Sequence, residues 1–165
     1  MKRVILIGCP GSGKSVFSRG LHQITGLPLY HLDLLYWNSD RTFVSREVLL
    51  KRLEPILASE YWIIDGNYAS TMELRMRACD TVIFFDYPTE VCVDGYLSRR
   101  GIERPDMPWV EESDEIDGEF LEMIRGYNRE HRPNVLALLE RYPEKRQIIF
   151  GSRSEAADFL HALKR

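Results

Sequence analysis

The sequence predicts a doubly wound α/β fold. Five short apolar runs, rich in β-branched residues and with little polar alternation, read as strands covered on both faces, as in a parallel sheet. Helical patterns separate them, and the first run breaks into a glycine-rich turn directly before a helix. The runs are RVILIG (3–8), LPLYHL (27–32), YWIID (61–65), DTVIFFD (80–86) and RQIIFG (146–151).

The first helix is expected over 14–25, with Phe17, Leu21 and Ile24 on one face and Gly26 to stop it. The second is expected over 46–59, where Val48, Leu49, Leu53, Ile56 and Leu57 repeat at helical spacing. A short helix over 70–78 precedes the fourth strand, and another over 88–99 carries Val91, Val93, Tyr96 and Leu97. The irregular stretch RRGIERPDMPWVEESDEID (99–117) follows; a loop of that length in a compact domain is usually functional or disordered. A long helical pattern over 118–142 should kink or divide at Pro133. The last helix spans 154–163. Alternation of this kind requires right-handed crossovers between parallel strands. There is no internal repeat, and the length of 165 residues suits one domain over 1–165.

Composition narrows the function classes. At 44% hydrophobic and 28% charged, the chain buries a proper core. A net charge of −3 argues against sequence-independent DNA binding, so direct DNA binding is not expected. The three cysteines, Cys9, Cys79 and Cys92, lack paired spacing and read as small buried hydrophobes rather than a disulfide framework or a zinc site. No apolar run approaches the roughly 20 residues of a membrane span. The apolar part of MKRVILIGC is shorter than a signal-peptide core and no small-residue cleavage site follows, so a cytoplasmic protein is expected.

Gly8, four further residues and Gly13-Lys14-Ser15 satisfy G-x-x-x-x-G-K-[ST]. Bare backbone over Gly8, Pro10, Gly11, Ser12 and Gly13 allows successive N–H groups to turn toward a polyphosphate, and the following helix offers its positive end. Lys14 is placed to reach the β- and γ-phosphates, and the Ser15 hydroxyl to hold magnesium. The implied ligands are ATP and Mg²⁺.

Three aspartates fall at carboxyl ends of strands, where ligands of such sheets bind. Asp65 stands where a magnesium-supporting carboxylate would, or else is a turn former with Gly66. Asp33 is the candidate to orient or deprotonate an attacking hydroxyl, with a cap or turn role as the alternative. Asp86, before Pro88, is expected to cap the next helix. His31 reads as a packed core histidine with no metal role. Arg99, Arg100 and Arg104 lie in the long loop, and Arg125, Arg129 and Arg132 on the next helix. They are candidates to surround a moving phosphoryl group, or else pair with Glu103, Asp106, Glu111 and Glu112 on a solvated loop. Trp109 reads as a plug packing that loop down. Tyr36 and Trp37 either line an acceptor pocket or pack in the core. Arg75 is placed either to contact an acceptor phosphate or to lie on an ordinary amphipathic surface.

GCPGSGKS, LPLYHLDLLYW, WIIDGNYASTMELR, CDTVIFFDYP and RPDMP together resemble the bacterial topology-modulation protein family, small P-loop proteins related to adenylate kinase. The likeness covers nearly the whole chain, with HLD and DGNY its most specific parts. It implies a three-layer, adenylate-kinase-like P-loop NTPase fold with a five-stranded parallel sheet in order 2-3-1-4-5. It further implies nucleotide binding at Gly8–Ser15, an acceptor-side insertion at about 34–60 and a lid around Arg99–Asp106, within about 99–117. DGNYA lacks the proline and arginine that adenylate kinases carry after Asp-Gly, so AMP is not carried over as the acceptor. The expected activity is ATP- and magnesium-dependent phosphoryl transfer to a small-molecule or nucleotide acceptor. The alternative is a nucleotide-binding regulator with slow hydrolysis and no free acceptor.

Overall fold

The computed structural model describes residues 1–112 and 116–164; positions 113–115 of the expected lid lie outside the described residues. The strands are β1 (Arg3–Gly8), β2 (Leu29–His31), β3 (Trp62–Asp65), β4 (Thr81–Phe85) and β5 (Arg146–Phe150). They form one five-stranded sheet in the order β2-β3-β1-β4-β5, with every pair parallel. Helix α1 (Lys14–Thr25) follows β1; α2 (Leu32–Tyr36) and α3 (Arg46–Ala58) follow β2; α4 (Ala69–Ala78) follows β3; α5 (Thr89–Ser98), α6 (Gly118–Glu130) and α7 (Arg132–Arg141) follow β4; α8 (Arg153–Leu163) follows β5.

The lack of alternation in β1 has a direct cause. Val4, Ile5, Leu6 and Ile7 are all fully buried, because helices cover both faces of the central strand. Val4 and Leu6 face the core beneath α1, α6 and α8, with Ile63, Ile83 and Phe85. Ile5 and Ile7 face the core beneath α3, α4 and α7, with Ile64, Val82 and Phe84. Burial falls off at the edge strand β5, where Arg146, Gln147 and Ile149 are exposed.

Local chemistry sets several helix ends. Ser45, Asp117 and Ser152 each accept a backbone N–H from three residues on, at Val48, Phe120 and Glu155. The long helical pattern divides at His131, and α7 begins with Arg132 and Pro133, where a missing N–H costs nothing.

Three expectations are corrected. The second apolar run is strand only as far as His31, because the chain turns at Leu32 into α2 and sends that side chain against Gly66. Asp86 caps nothing: Pro88 occupies the N-cap of α5, and the Asp86 carboxylate accepts two bonds from Arg132, at 2.7 and 2.8 Å. Arg75 is neither a surface residue nor free for a ligand. It is fully buried and donates to the carbonyl oxygens of Gly66, Asn67 and Tyr68 and to the Thr71 hydroxyl, gathering the turn after β3. Burial brings its guanidinium down to about 10, which leaves it charged at neutral pH. Replacing Arg75 with leucine strands these buried carbonyls, and a loss of about 3 kcal/mol is expected in urea unfolding. Wild-type stability in that variant would refute the clamp.

Candidate functional site

The turn between β1 and α1 is a cradle held from behind. The N–H of Gly8 donates to Asn67 Oδ1 at 2.9 Å, and Asn67 Nδ2 donates to the Gly8 carbonyl at 2.6 Å. Gly8 therefore stands behind the cradle, while residues from Pro10 to Ser15 line the cleft. Gly11 and Gly13 are needed for different reasons. At Gly11, φ is 83° and a Cβ would lie 2.0 Å from the Cys92 carbonyl oxygen of α5, so the loop rests on helix backbone. At Gly13, φ is 93° and a Cβ would meet nothing within 4 Å; the loop is open there. Helix α1 has no side-chain cap, leaving its first N–H groups without a side-chain acceptor beside the cleft.

Lys14 is buried, and its Nζ donates to the Cys9 carbonyl at 2.9 Å and lies 3.4 Å from Ser12 Oγ. Burial pulls its ammonium below the usual lysine range, against the opposing attraction of Asp65.

Asp65 ends β3 beside His31 of β2, its neighbour in the sheet register. His31 Nδ1 lies 2.9 Å from Asp65 Oδ2, and both side chains are buried. His31 is thus packed, as expected, but its ring is bonded to a carboxylate of the site. Burial alone would raise the Asp65 carboxyl. The bond from His31, the charge of Lys14 and the nearby Ser15 hydroxyl outweigh it and hold the group below the usual range. Oδ1 of Asp65 is buried without a hydrogen-bond partner. An ionised carboxylate with one orphaned oxygen, next to a serine hydroxyl, is a donor set that fits Mg²⁺. Among the described residues no three His, Cys, Asp or Glu side chains converge on a metal site.

Asp33 lies on α2 and accepts a 2.5 Å bond from the Tyr68 hydroxyl. Burial pushes its carboxyl above the usual range, helped by the charges of Asp65 and Asp106 and opposed by the Tyr68 bond. Tyr68 itself sits at φ 36°, a left-handed backbone rare for a bulky side chain. Its carbonyl is held by Arg75 and its hydroxyl by Asp33.

Lys14, Ser15, Asp33, Asp65, Arg99, Arg100 and Arg104 all line one cleft of ≈ 1730 Å³. Arg125, Arg129 and Arg132 do not; they pair with Glu122, Glu130 and Asp86. Each of the three cleft arginines from the long loop is already engaged: Arg99 with Glu111 at 3.4 Å, Arg100 with the Tyr96 hydroxyl at 3.0 Å and the Glu112 carbonyl, and Arg104 with Asp106 at 3.5 Å. Arg99 is the one whose charge Lys14 feels. Trp109 packs edge-on against Trp37 at 5.2 Å, so the loop is held against the stretch after β2, and Tyr36 and Trp37 line the cleft.

Sequence reasoning missed Arg19, Asn67 and Tyr68. Arg19 lies four residues after Ser15, one helical turn along α1, and bonds the buried Asp106 at 3.3 Å. The helical spacing was the available signal. Asn67 and Tyr68 stood inside DGNY without an assigned role.

The sheet order and the cradle decide the fold. The chain has the P-loop NTPase fold. It superimposes on the shikimate kinase of Acinetobacter baumannii, solved in complex with shikimate, with a TM-score of 0.64 and 14% identity over 99% of this chain and 90% of that one. The shikimate kinase of Bacteroides thetaiotaomicron gives 0.58 and 17% over 99% and 96%. A gluconokinase of Sinorhizobium meliloti 1021 gives 0.58 and 16% over 98% and 89%. No protein-family model matches the sequence, and no curated protein does. Among the described residues no helix is long and apolar enough to cross a membrane.

The two aspartates are expected to respond oppositely to neutralisation. Asp33, raised in the fold, costs stability when ionised; Asp33→Asn should be more stable than wild type at pH 7.5, and the difference should vanish below about pH 4, where the unfolded carboxyl is also neutral. Asp65, lowered in the fold, supplies stability above its unfolded value that is lost as pH falls through the folded one. Asp65→Asn should therefore be less stable at neutral pH and converge with wild type in acid. Urea midpoints across pH measure both.

Proposed function

We propose that the chain transfers the γ-phosphoryl group of Mg·ATP to a hydroxyl of a small acceptor. One observation carries this reading: the open cradle with Lys14, Asp65 with its orphaned buried oxygen, and Asp33 all line a single cleft. The backbone amides from Pro10 to Ser15 and the Lys14 ammonium bind the triphosphate. Magnesium, when bound by Ser15 and Asp65, supplies positive charge across the phosphate oxygens. The acceptor oxygen attacks the γ-phosphorus, the bond to the β–γ bridging oxygen breaks, and ADP departs. The hydroxyl proton passes to Asp33, whose raised affinity for a proton suits a base. Arg99, nearest in effect to Lys14, leaves Glu111 to meet the transferring group, and Arg100 and Arg104 complete the loop around it. The loop over 99–117 acts as lid and the stretch 34–60 as acceptor side. The kinase folds of the structural neighbours support the reading.

We also read the chain as akin to the topology-modulation proteins. What supports this is that HLD and DGNY, the segments that carry the likeness, are bonded to one another through His31–Asp65 and Asp33–Tyr68.

Lys14→Ala is expected to lower ATP turnover by about 10²–10³-fold with the fold intact by circular dichroism. Asp33→Asn is expected to lower kcat by about 10²–10⁴-fold while calorimetry finds ATP affinity within about twofold of wild type. Equal losses of rate and ATP affinity would make Asp33 structural. Basal ADP production with every acceptor tried would favour a nucleotide-binding regulator instead.

A further inference from the structure

Four rings form a wall that leads away from Asp33. Tyr68 bonds that carboxyl directly, and Tyr36 meets Tyr68 edge-on at 4.9 Å. Trp37 meets Tyr36 at 5.0 Å, and Trp109 of the opposite loop meets Trp37 at 5.2 Å. All four line the cleft and none is fully buried, so ring surface faces the space next to the carboxyl. Indole and phenol faces favour a flat π-system, and stacking of this kind is indifferent to the ring's hydrogen-bond pattern.

Charge narrows the occupant further. The Asp33 carboxyl feels the Asp65 and Asp106 carboxylates close by. Among the described residues, every arginine that lines the cleft already has an acidic or oxygen partner: Arg19 and Arg104 share Asp106, Arg99 has Glu111, Arg41 has Glu112 at 3.9 Å, Arg100 has Glu112 O and Arg153 has Val91 O. Asp106 is only 2% exposed, so drawing Arg19 and Arg104 away to an anionic acceptor would strand a buried carboxylate. Arg75, the one arginine on α4 that reaches the turn after β3, is consumed by backbone carbonyls. The donor side keeps Lys14, and Arg99 once it leaves Glu111, for the triphosphate; of the other arginines that line the cleft among the described residues, only Arg41, in an exposed pair with Glu112 at 3.9 Å, is loosely held.

We infer that the acceptor is an uncharged alcohol bearing an aromatic ring, of the nucleoside type, with its hydroxyl at Asp33 and its ring against Trp37 and Trp109. This rests on the kinase reading above. In that transfer the nucleoside oxygen gains the γ-phosphoryl group, ATP becomes ADP, and the proton goes to Asp33.

The test uses the full chain with Mg·ATP. Adenosine, guanosine, cytidine and uridine are each compared with their 5′-monophosphates, and with shikimate and gluconate as carboxylate acceptors. Products are followed by phosphorus NMR, and Mg·ATP binding is measured separately by calorimetry. Of the three tryptophans, Trp62 is fully buried and the other two line the cleft, so nucleoside binding should also quench their fluorescence. At least one nucleoside is expected to be phosphorylated, with kcat/KM about tenfold or more above its monophosphate and above both carboxylates. Trp37→Ala and Trp109→Ala should each raise the nucleoside KM about tenfold, with the ATP KM moving less than about twofold. Trp37→Phe, which keeps a ring, should recover most of that loss. Preference for a monophosphate, shikimate or gluconate overturns the inference, as does refusal of every nucleoside by protein that binds Mg·ATP. Failure to bind Mg·ATP at all removes the kinase reading beneath it.

Discussion

Asn67 closes both backbone groups of Gly8, and the position of nearly everything in the cleft depends on that pair of bonds. The residue stands at the exit of β3, while Gly8 ends β1, so the bonds fix the exits of two neighbouring strands to one another. Arg75 holds the Asn67 carbonyl from below, and Leu32 packs against Gly66 from β2's side. Three strand ends thus share one turn. The cradle between β1 and α1, the Asp65 carboxylate and the entry to α2 are set by the same few residues. A site assembled from strand ends in this way inherits the rigidity of the sheet rather than of its loops.

The two carboxyls of the cleft are handled in opposite senses. Asp65 is given His31, Lys14 and Ser15 and stays ionised despite full burial. Asp33 is buried and has two like charges near it, which outweigh the bond from the Tyr68 phenol, and its proton is held more tightly. Environments that push two acids apart leave one ionised and the other readier to hold a proton. The left-handed backbone at Tyr68 is part of this arrangement, since that conformation carries the phenol from the turn after β3 across to α2.

The strands and the cradle were legible because each depends on local pattern. Continuous apolar runs mean burial on both faces, and the spacing of Gly8, Gly13, Lys14 and Ser15 fixes its own context. The division of the long helix at Pro133 was readable for the same reason. Helix α2 was not: five residues are too few to show a period, and LDLLY continues an apolar run without a break. Arg75 was misread because helical spacing distinguishes faces but cannot say that one face will be covered by a turn rich in carbonyls. Asp86 looked like a cap in sequence, and a partner 46 residues away claimed it. The arginines of α6 and α7 were grouped with those of the loop by proximity in the chain, whereas the fold turns them out of the cleft.

Gly11 and Gly95 meet as bare backbone: the Gly11 carbonyl oxygen occupies a point 1.9 Å from where a Cβ at Gly95 would stand. No soft side-chain layer separates the cradle from α5. Four residues further along, about 6 Å at the helical rise, comes Arg99. A displacement of the cradle would press directly on the backbone of α5, the helix whose far end carries Arg99. The same contact that makes the turn intolerant of larger residues gives it mechanical purchase on the start of the loop above it.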